Sequence, residues 1–493
     1  MKIKNPLYQK IIKELNQRSV EWGKVYLVGG TIRDELIGRE NIDLDFCIER
    51  NAVRACRFIA DAFDGDFYIL DEERGAARAL IQYKNDLVDV DFTPLMGQTI
   101  QEDLKQRDFT INAMAIGLEN PDELIDPLNG KEHLQANLLI PCSENSFRND
   151  PVRILRAVRF IDAYNLEYSE ELENEIQGNI NLLKKTSAER IRDEIFNIFR
   201  ETKIEQSLHL MQVFSIFSEI FPDLIPLRSI KPGPPHSYNV LNHSIKVAGF
   251  IQKIFEIFEG KDLLLDDRFV KLVDKLKPFR PKIEQYLHER INSRRSYKEL
   301  LILAGLFHDS GKQVVDPSIK GTRKKYPGHA EESTEFLKSW GKKYALSNSE
   351  IDYVSTIILH HMKKEFREFA DGKDHRAQIF QFFQETGRVG VFAGFLHLGD
   401  LVATYEDSLT QERWNIGIDS VTALLDAWFN HYNEIVDPPK IINGHDLMKK
   451  YDIEPGVEMG KVLYKIRMLQ AGGKIRSKME AFKYAEDLLR GNK

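Results

Sequence analysis

The sequence predicts an α+β protein whose strands lie in the first 140 residues and whose remainder is helical. Short apolar runs and alternating stretches, which are typical of strands, occur between residues 25 and 92. From residue 140 onward, leucine and isoleucine recur at helical spacing with few strand signals. A proline- and glycine-rich segment at 231–235 then marks a linker. A chain of 493 residues allows two to four domains.

The composition indicates an ordinary globular protein with 42% hydrophobic and 29% charged residues. No apolar run is long enough to span a bilayer and no signal peptide is evident. Three cysteines at unrelated spacings exclude a disulfide framework, so we expect a cytoplasmic protein with no membrane partner. The net charge of −7 argues against broad nucleic-acid binding, so any RNA contact must come from local basic faces.

The first part of the chain is predicted to alternate helices and strands. The predicted helices cover residues 1–24, 31–38 and 53–63, and the predicted strands cover residues 25–28, 41–46, 66–70, 79–83 and 87–92.

The stretch from Gly29 to Asp45 organises this region. Gly29 and Gly30 follow a buried strand and let the backbone turn sharply and approach a ligand closely. The amides at the start of the next helix form a phosphate cradle in principle. Asp43 and Asp45, two positions apart on the next strand, project from one side. Paired carboxylates near phosphates suit Mg²⁺, although either motif alone usually marks a turn or a solvated strand face.

A second acidic pair lies on the strand predicted over 87–92. Alternation places Asp89 and Asp91 on one face and Val88 and Val90 on the other. A third carboxylate beside a two-metal pair fits a general base or a further metal ligand. The alternative is a solvated strand face.

The stretch from Gly29 to Asp45 resembles the first motif of the DNA polymerase β-like nucleotidyltransferases, in the branch that holds class II tRNA CCA-adding enzymes and bacterial poly(A) polymerases. The resemblance implies a polymerase β-like head formed by a small mixed sheet with helices. It also implies that Gly30 and Arg33, next to Gly29, hold the incoming nucleotide. Asp43 and Asp45 would bind the catalytic Mg²⁺ ions, and the family strand favours Asp89 over Asp91 as the third carboxylate.

Residues 103–115 resemble the family motif Arg-Arg-Asp-Phe-Thr-hydrophobic-Asn-Ala. The resemblance implies that Arg107 meets the nucleotide. Gln106 stands where the family has the first arginine, which leaves that position without an assigned role. Residues 126–130 match the family turn that acts as a hinge between head and neck.

Residues 150–160 resemble the family's amino-acid template for the base. Asp150 accepts and Arg153 donates hydrogen bonds, so together they can read a Watson–Crick edge. The glutamate that precedes this pair in the family is Asn149 here. Arg156 and Arg159 match positions near the triphosphate, although three arginines at this spacing also fit a basic solvated stripe.

The nucleotide specificity is inferred from the length of the segment between Asp89 and Arg107. Arg107 follows Asp89 by 18 positions. Relatives that add C, C and A carry a longer flexible loop between these positions, and relatives that add only the two cytidines lack it. The resemblance therefore implies CC addition, with a different loop geometry for the same task as the alternative.

An ordered set of histidines and aspartates follows the linker. It resembles the HD metal-dependent phosphohydrolase domain that some tRNA nucleotidyltransferases carry. The resemblance implies a site for a divalent metal of unknown identity, held by His243, His308, Asp309 and Asp400. His329 and His361 would assist or complete a second site. His361 lies in the run His360-His361-Met362.

These resemblances divide the chain into a nucleotidyltransferase head (1–140), a helical neck and body (141–230), an HD domain (236–410) and a helical tRNA-binding tail (411–493). We expect a CC-adding tRNA nucleotidyltransferase that uses CTP, and a separate enzyme to add the final A. The alternatives are a complete CCA-adding enzyme that also uses ATP, a poly(A) polymerase, and an HD enzyme whose head only binds RNA. The oligomeric state is not predicted.

Overall fold

A computed structural model describes residues 6–39, 43–84, 86–260, 267–292, 295–320, 323–361 and 375–490. The chain forms two compact units. The first unit comprises Met1–Glu194 with Val213–Ile216, and the second comprises Ile195–Gln212 with Phe217–Lys493. The division into four parts stays a prediction.

The first unit is built on a seven-stranded sheet with the order β3-β4-β5-β2-β1-β6-β7. Its strands are β1 Val25–Val28, β2 Leu44–Ile48, β3 Asp66–Asp71, β4 Ala76–Tyr83, β5 Asp86–Pro94, β6 Ala115–Gly117 and β7 Asn120–Ile125. β2 and β5 are parallel, and the other neighbouring pairs are antiparallel. The predicted α+β fold is confirmed.

Helices and 3₁₀ turns accompany this sheet and continue beyond it. They are Pro6–Asn16, Ser19–Trp22, Gly30–Leu36, Ala52–Ala62, Ile100–Lys105, Thr110–Asn112, Gly130–Gln135, Ser146–Asn149, Arg153–Ala163, Glu170–Asn179, Ile180–Lys185 and Ala188–Glu201. The boundary between the units falls within the last of these helices.

The core of the head lies between the sheet and its helices. Phe46 on β2 and Phe92 on β5 are fully buried and stack with ring centroids 5.2 Å apart. Tyr8 from the first helix stacks on Phe46 at 6.2 Å. Because Phe46 follows Asp45 in the strand, the aromatic core and the acidic side chain occupy opposite faces of β2.

The strands differ from the predicted ones at their ends. The strand predicted over 41–46 is β2, Leu44–Ile48, while Asn41 lies outside the described residues. β4 begins three positions before the predicted strand over 79–83, because Ala76 to Ala79 pair with β3 and β5. β6 and β7 were not predicted, since each is short and neither alternates clearly.

The described part of the second unit is helical apart from a small hairpin of β8 Ser318–Lys320 and β9 Arg323–Lys325. Its core includes the buried rings of Phe221, Phe307 and Trp340, with Phe221 and Trp340 stacked at 5.4 Å. None of the helices in the described ranges is long and apolar enough to cross a membrane.

The helices and helical turns that begin after residue 203 are Ile204–Val213, Ile216–Ile220, Pro222–Ser229, Val240–Phe258, Asp267–Leu276, Lys277–Phe279, Arg280–His288, Tyr297–Phe307, Ser310–Gln313, His329–Lys343, Asn348–His360, Arg376–Thr386, Gly387–Val389, Gly390–Tyr405, Glu406–Ser408, Gln411–Phe429, Tyr432–Val436, Gly444–Tyr451, Val457–Ala471 and Lys478–Arg490.

Candidate functional site

Four carboxylates lie along one face of the head sheet. Asp45 on β2 pairs in register with Asp91 on the parallel strand β5, so the two side chains stand side by side. Asp89, two positions before Asp91, shares that face, and its backbone N–H donates to Asp43 Oδ1 at 3.1 Å. The structure therefore brings Asp43, Asp45 and Asp89 together, and it places Asp91 nearer than Asp89 to Asp45 along the strand.

Arg78 contacts this acidic face and was missed in the sequence. It lies opposite Asp91 on the antiparallel strand β4. Its Nε and Nη2 donate to the two carboxylate oxygens of Asp91 at 2.7 and 2.8 Å, and its Nη1 pairs with Asp89. A single arginine within the apolar run of β4 was the available signal.

Gly29 forms the close turn that joins Arg107 to this face. Its φ is +74°, and a Cβ at this position would lie 3.2 Å from Arg107 Nη1 and 3.3 Å from Asp45 Oδ2. Arg107 Nε donates a hydrogen bond to the carboxylate of the buried Asp103 at 3.1 Å. Burial and the neighbouring Asp91 raise the pKa of Asp45 to about 6, although Arg107 acts in the opposite direction.

Arg33 is buried and its guanidinium is fully engaged. It donates to Asn112 Oδ1 at 2.5 Å, to Asp34 at 2.9 and 3.1 Å, and to the Tyr164 hydroxyl. Its charge also lies 4.1 Å from the centre of the Tyr164 ring. A Cβ on Gly30 would lie 3.2 Å from Arg33 Nη2. Arg33 is thus packed beneath the glycine turn, and its role toward a nucleotide stays a prediction.

Asp108 links the arginines of the head. Its Oδ1 accepts from Asn112 Nδ2 at 3.1 Å and from the Phe109 N–H at 2.8 Å, and its Oδ2 accepts from Arg156 Nε at 2.8 Å. Burial favours its neutral form, but Arg156 and these hydrogen bonds prevail and lower the pKa of Asp108 to about 2. Through Asn112, the same carboxylate connects Arg33 to Arg156.

The predicted template residues lie beside the loop that carries Arg107. Arg153 donates to the backbone oxygens of Gln106 and Arg107 at 2.7 and 3.0 Å. Asp150 accepts from Arg190 at 2.7 Å, and Arg153 Nε lies 4.0 Å from its carboxylate. The structure therefore brings Asp150 and Arg153 together, and it adds Arg190 as a second partner of Asp150.

Arg159 lies on the same helix and is buried against an acidic partner. Its Nε donates to Glu194 at 2.5 Å, and Arg156 also lies 3.9 Å from Glu194. Base reading by Asp150 and Arg153, and triphosphate contacts by Arg156 and Arg159, stay predictions.

A second cluster of polar side chains lies in the second unit. His243 Nε2 lies 3.0 Å from Asp400 Oδ1 and 3.6 Å from Asp309 Oδ2. His308 Nε2 lies 3.5 Å from Asp309, and His329 Nε2 lies 3.3 Å from its other oxygen. Asp309 thus joins two groups whose ligand atoms lie within 4.8 Å, one with His243 and His308 and the other with His329 and His361. Within the described ranges, the head carboxylates do not form such a group of three.

Three of these histidine rings are oriented by the same local hydrogen bond to the backbone. The Nδ1 atoms of His308, His329 and His361 lie 2.6–2.8 Å from the backbone oxygens of Gly305, Tyr326 and Ile358, three positions earlier. A carbonyl only accepts, so each Nδ1 carries a proton, and in the neutral ring Nε2 then holds the lone pair that can bind a metal. These buried Nε2 atoms have no hydrogen-bond partner among the described residues.

Two members of the cluster, His361 and Asp309, are kept in the protonation states that a metal needs. Burial lowers the pKa of His308, but the neighbouring Asp309 and Asp400 prevail and raise it. Burial and the neighbouring His308 and His329 lower the pKa of His361 to about 3, so its imidazole is neutral. Burial opposes ionisation of Asp309, yet Lys312 and the imidazoles hold the pKa of its carboxyl well below its usual range. The donor set of imidazoles and carboxylates therefore fits a divalent ion.

Three parts of the chain match known protein families. Residues 25–140 match the poly A polymerase head domain, residues 165–227 the probable RNA and SrmB-binding site of polymerase A, and residues 240–383 the HD domain. Gly29, Asp45 and Arg107 lie within the stretch that matches the poly A polymerase head domain, and His308 and Asp309 lie within the stretch that matches the HD domain.

Curated relatives cover the chain to different extents. A CC-adding tRNA nucleotidyltransferase of Geobacter sulfurreducens is 39% identical over 173 residues, which span 35% of this chain and 40% of the relative. An A-adding tRNA nucleotidyltransferase of Deinococcus radiodurans is 24% identical over 466 residues, with 92% and 93% covered. The predicted relationship to HD-containing tRNA nucleotidyltransferases is confirmed, while the names of these relatives differ in the nucleotide added.

Solved structures share the fold of the chain. The apo form I of a CCA-adding enzyme has a TM-score of 0.60 at 20% identity and covers 99% of this chain and 95% of its own. A CCA-adding enzyme of Thermotoga maritima complexed with tRNA has a TM-score of 0.54 at 20% identity, with 100% and 97% covered.

The Asp108 carboxylate of the head should make stability depend on acid pH. Its pKa falls from 3.8 to about 2 on folding, so its contribution is present above about pH 4 and is lost as pH falls toward 2. The full contribution is about 2 kcal/mol. Asp108→Asn should therefore flatten the acid limb of head stability, measured by urea unfolding between pH 5 and pH 2.5. The exposed Asp61→Asn is the control, and an unchanged acid limb in Asp108→Asn would contradict the assignment.

Proposed function

We propose that the protein is a template-independent tRNA nucleotidyltransferase that adds CMP residues to the tRNA 3′ end. The observation that carries the proposal is the register that puts Asp45 beside Asp91, next to the Gly29 turn and Arg107. A bound nucleoside triphosphate needs carboxylate-held metal ions, a close backbone approach and a cation near its phosphates. The head brings carboxylates, the Gly29 turn and Arg107 together at the central strands of the sheet.

The acidic face fits Mg²⁺. Burial and the neighbouring carboxylates of Asp91 and Asp43 raise the pKa of Asp45 to about 6, and a cation beside Asp43 and Asp45 would stabilise the ionised form. When bound, paired Mg²⁺ ions activate the tRNA 3′-hydroxyl and stabilise the pyrophosphate leaving group. Asp89 was expected as the third carboxylate, and the register with Asp45 favours Asp91 instead.

The other head residues position the nucleotide in this proposal. Gly29 and Gly30 admit the phosphates, with Arg33 and Arg107 beneath and beside the turn. Asp150 and Arg153 select the base, and Arg153 also fixes the backbone that carries Arg107. Arg156 and Arg159, held by Asp108 and Glu194, lie on the same helix as Arg153 and complete the cationic set.

The choice of CC addition is supported by a short, fixed loop. Residues 95–99 connect β5 to the helix Ile100–Lys105. The Met96 N–H donates to Asp103 at 3.0 Å, and Gln106 Nε2 donates to the Met96 oxygen at 2.9 Å. Gln106 therefore holds the loop, which gives that departure from the family motif a structural role. The Geobacter relative that is 39% identical is named as CC-adding.

Nucleotide incorporation tests the head. With tRNA that lacks its 3′ end and each nucleoside triphosphate supplied separately, the protein should add two CMP residues from CTP. Asp43→Ala with Asp45→Ala should lower the rate at least about a thousandfold, because these carboxylates hold the metal ions. Asp61→Ala, an exposed change in the same unit, is the matched control. A double variant as fast as wild type would refute the proposal, and long tracts from ATP alone would identify a poly(A) polymerase.

Specificity is tested separately with labelled ATP and tRNA that already ends in CC. The short loop predicts incorporation at least about tenfold slower than that of CMP into tRNA ending before the first C. The measurement is the initial rate of label transfer at equal tRNA concentrations. Rapid addition of a single AMP would establish a complete CCA-adding enzyme and contradict the CC assignment.

We propose a second activity for the HD domain, the metal-dependent hydrolysis of phosphate esters, including 2′,3′-cyclic phosphates. The specific observation is that buried Nε2 atoms converge on Asp309 beside a cavity of about 890 Å³. Lys312, Lys324 and Arg413 also line this cavity and favour an anionic ligand. An imidazole-rich site suits a first-row transition metal, which would polarise the phosphoryl group and activate water.

Metal content and hydrolysis together test the HD site. His308→Ala should lose bound Mn²⁺ or Ni²⁺, measured by elemental analysis, and should lower hydrolysis of a 2′,3′-cyclic nucleotide at least about a hundredfold. His209→Ala, on an exposed position of another helix, should keep both properties. Full metal content in His308→Ala would contradict the ligand assignment, and metal binding by wild type without hydrolysis would contradict the activity alone.

A further inference from the structure

Arg78 lies in a row of charges that crosses three neighbouring strands. On β4 it faces Asp91 across an antiparallel pair, and Asp91 on β5 faces Asp45 across the parallel pair. Neighbouring strands lie about 4.8 Å apart, so the three side chains are successive neighbours on one face. The row ends at the carboxylate that was assigned to metal binding.

The contact between Arg78 and Asp91 has the geometry of a fork. Two parallel N–H donors meet the two oxygens of one carboxylate at 2.7 and 2.8 Å. Such a pair fixes the plane of the carboxylate as well as its charge. A carboxylate has about four lone-pair sites, so the fork leaves about two for other ligands. Asp91 can therefore be held by Arg78 and still bind a cation beside Asp45.

Arg78 also contacts a second carboxylate of the acidic face, that of Asp89. Its remaining amino group pairs with Asp89, whose backbone N–H donates to Asp43 at 3.1 Å. One guanidinium thus contacts both β5 carboxylates: Asp91 neighbours Asp45 on β2, and Asp89 neighbours Asp43, which directly precedes β2. The Arg78 side chain is 34% exposed, so it lies at the acidic surface rather than in the core of the sheet.

We propose that Arg78 is a positioning residue for nucleotidyl transfer, which acts by holding Asp91 in the orientation that completes the Asp43 and Asp45 metal site. The inference rests on the proposed head function. Arg78 needs no contact with the substrate, because its effect passes through Asp91. Charge alone is not sufficient for this role, since a lysine ammonium is a single point and cannot fix a carboxylate plane.

The test compares Arg78→Lys, Arg78→Ala, Asp91→Asn and the double variant Arg78→Ala with Asp91→Asn. Arg78→Lys keeps the charge and should lower kcat for CMP addition roughly 10- to 100-fold while KM for CTP changes little. The double variant should be no slower than Asp91→Asn alone, because Arg78 acts through Asp91. Arg74→Ala, in the turn before β4, removes an exposed arginine from the same hairpin and is the matched control.

A binding measurement separates this role from a purely structural one. Mn²⁺ binding to the full chain is measured by titration, with the paramagnetism of the ion as the signal. The sites that are present in wild type and lost in Asp43→Ala with Asp45→Ala are the head sites. Arg78→Lys should weaken these sites roughly tenfold at unchanged charge, and Arg74→Ala should not. Thermal unfolding then shows whether each variant remains folded.

The outcomes separate the two proposals. Wild-type kcat and Mn²⁺ affinity in Arg78→Lys, or additive losses in the double variant, would overturn the role of Arg78 alone. No incorporation by wild type, or wild-type speed in the Asp43 and Asp45 double variant, would overturn the head function itself.

Discussion

The stacking of Phe46 on Phe92 fixes the register on which the head site depends. These rings are partners across the parallel pair of β2 and β5, and their centroids lie 5.2 Å apart in the core. Because side chains alternate along a strand, the same register sets Asp45 beside Asp91 on the opposite face. A slip of one residue would bury the carboxylates and expose the rings, so hydrophobic packing enforces the polar arrangement. The acidic site is thus specified by the core beneath it.

The arginines near this site are kept in place by acids of the protein itself. Arg33 is paired with Asp34, Arg156 with Asp108, and Arg159 with Glu194. Unpaired guanidinium groups at this degree of burial would be costly, so the internal acids allow a cationic set to fold without a ligand. The same pairing fixes the direction of each donor before any nucleotide arrives. Preorganised donors lose little entropy on binding, which supports the proposed contacts with the phosphates of a nucleotide.

The sequence was informative where a local pattern decides the outcome. Alternation predicted the shared face of Asp89 and Asp91. The paired glycines predicted the turn at Gly29, where an added Cβ would lie 3.2 Å from Arg107 Nη1 and 3.3 Å from Asp45 Oδ2. It was uninformative where the partner lies far along the chain. The contact of Arg33 with Tyr164 spans 131 positions, and Asp108 meets Arg156 across 48. Arg78 was missed for a different reason: Asp91 is only 13 positions away, but the register of β4 against β5 decides that the two residues face each other.

The cluster of histidines around Asp309 could be predicted from scattered residues because the orientation of each ring is set by its own stretch of backbone. His308 and His361 each directly follow a helix and His329 begins one, and each Nδ1 is held by the carbonyl three positions earlier. Orientation of the ring therefore needs no distant partner, and only the positions of the helices must be correct. Long-range packing then brings the prepared Nε2 atoms to Asp309, whose two oxygens face different histidines. The head carboxylates are arranged by longer-range contacts, since strand register makes Asp45 and Asp91 neighbours and Arg78 donates to both oxygens of Asp91.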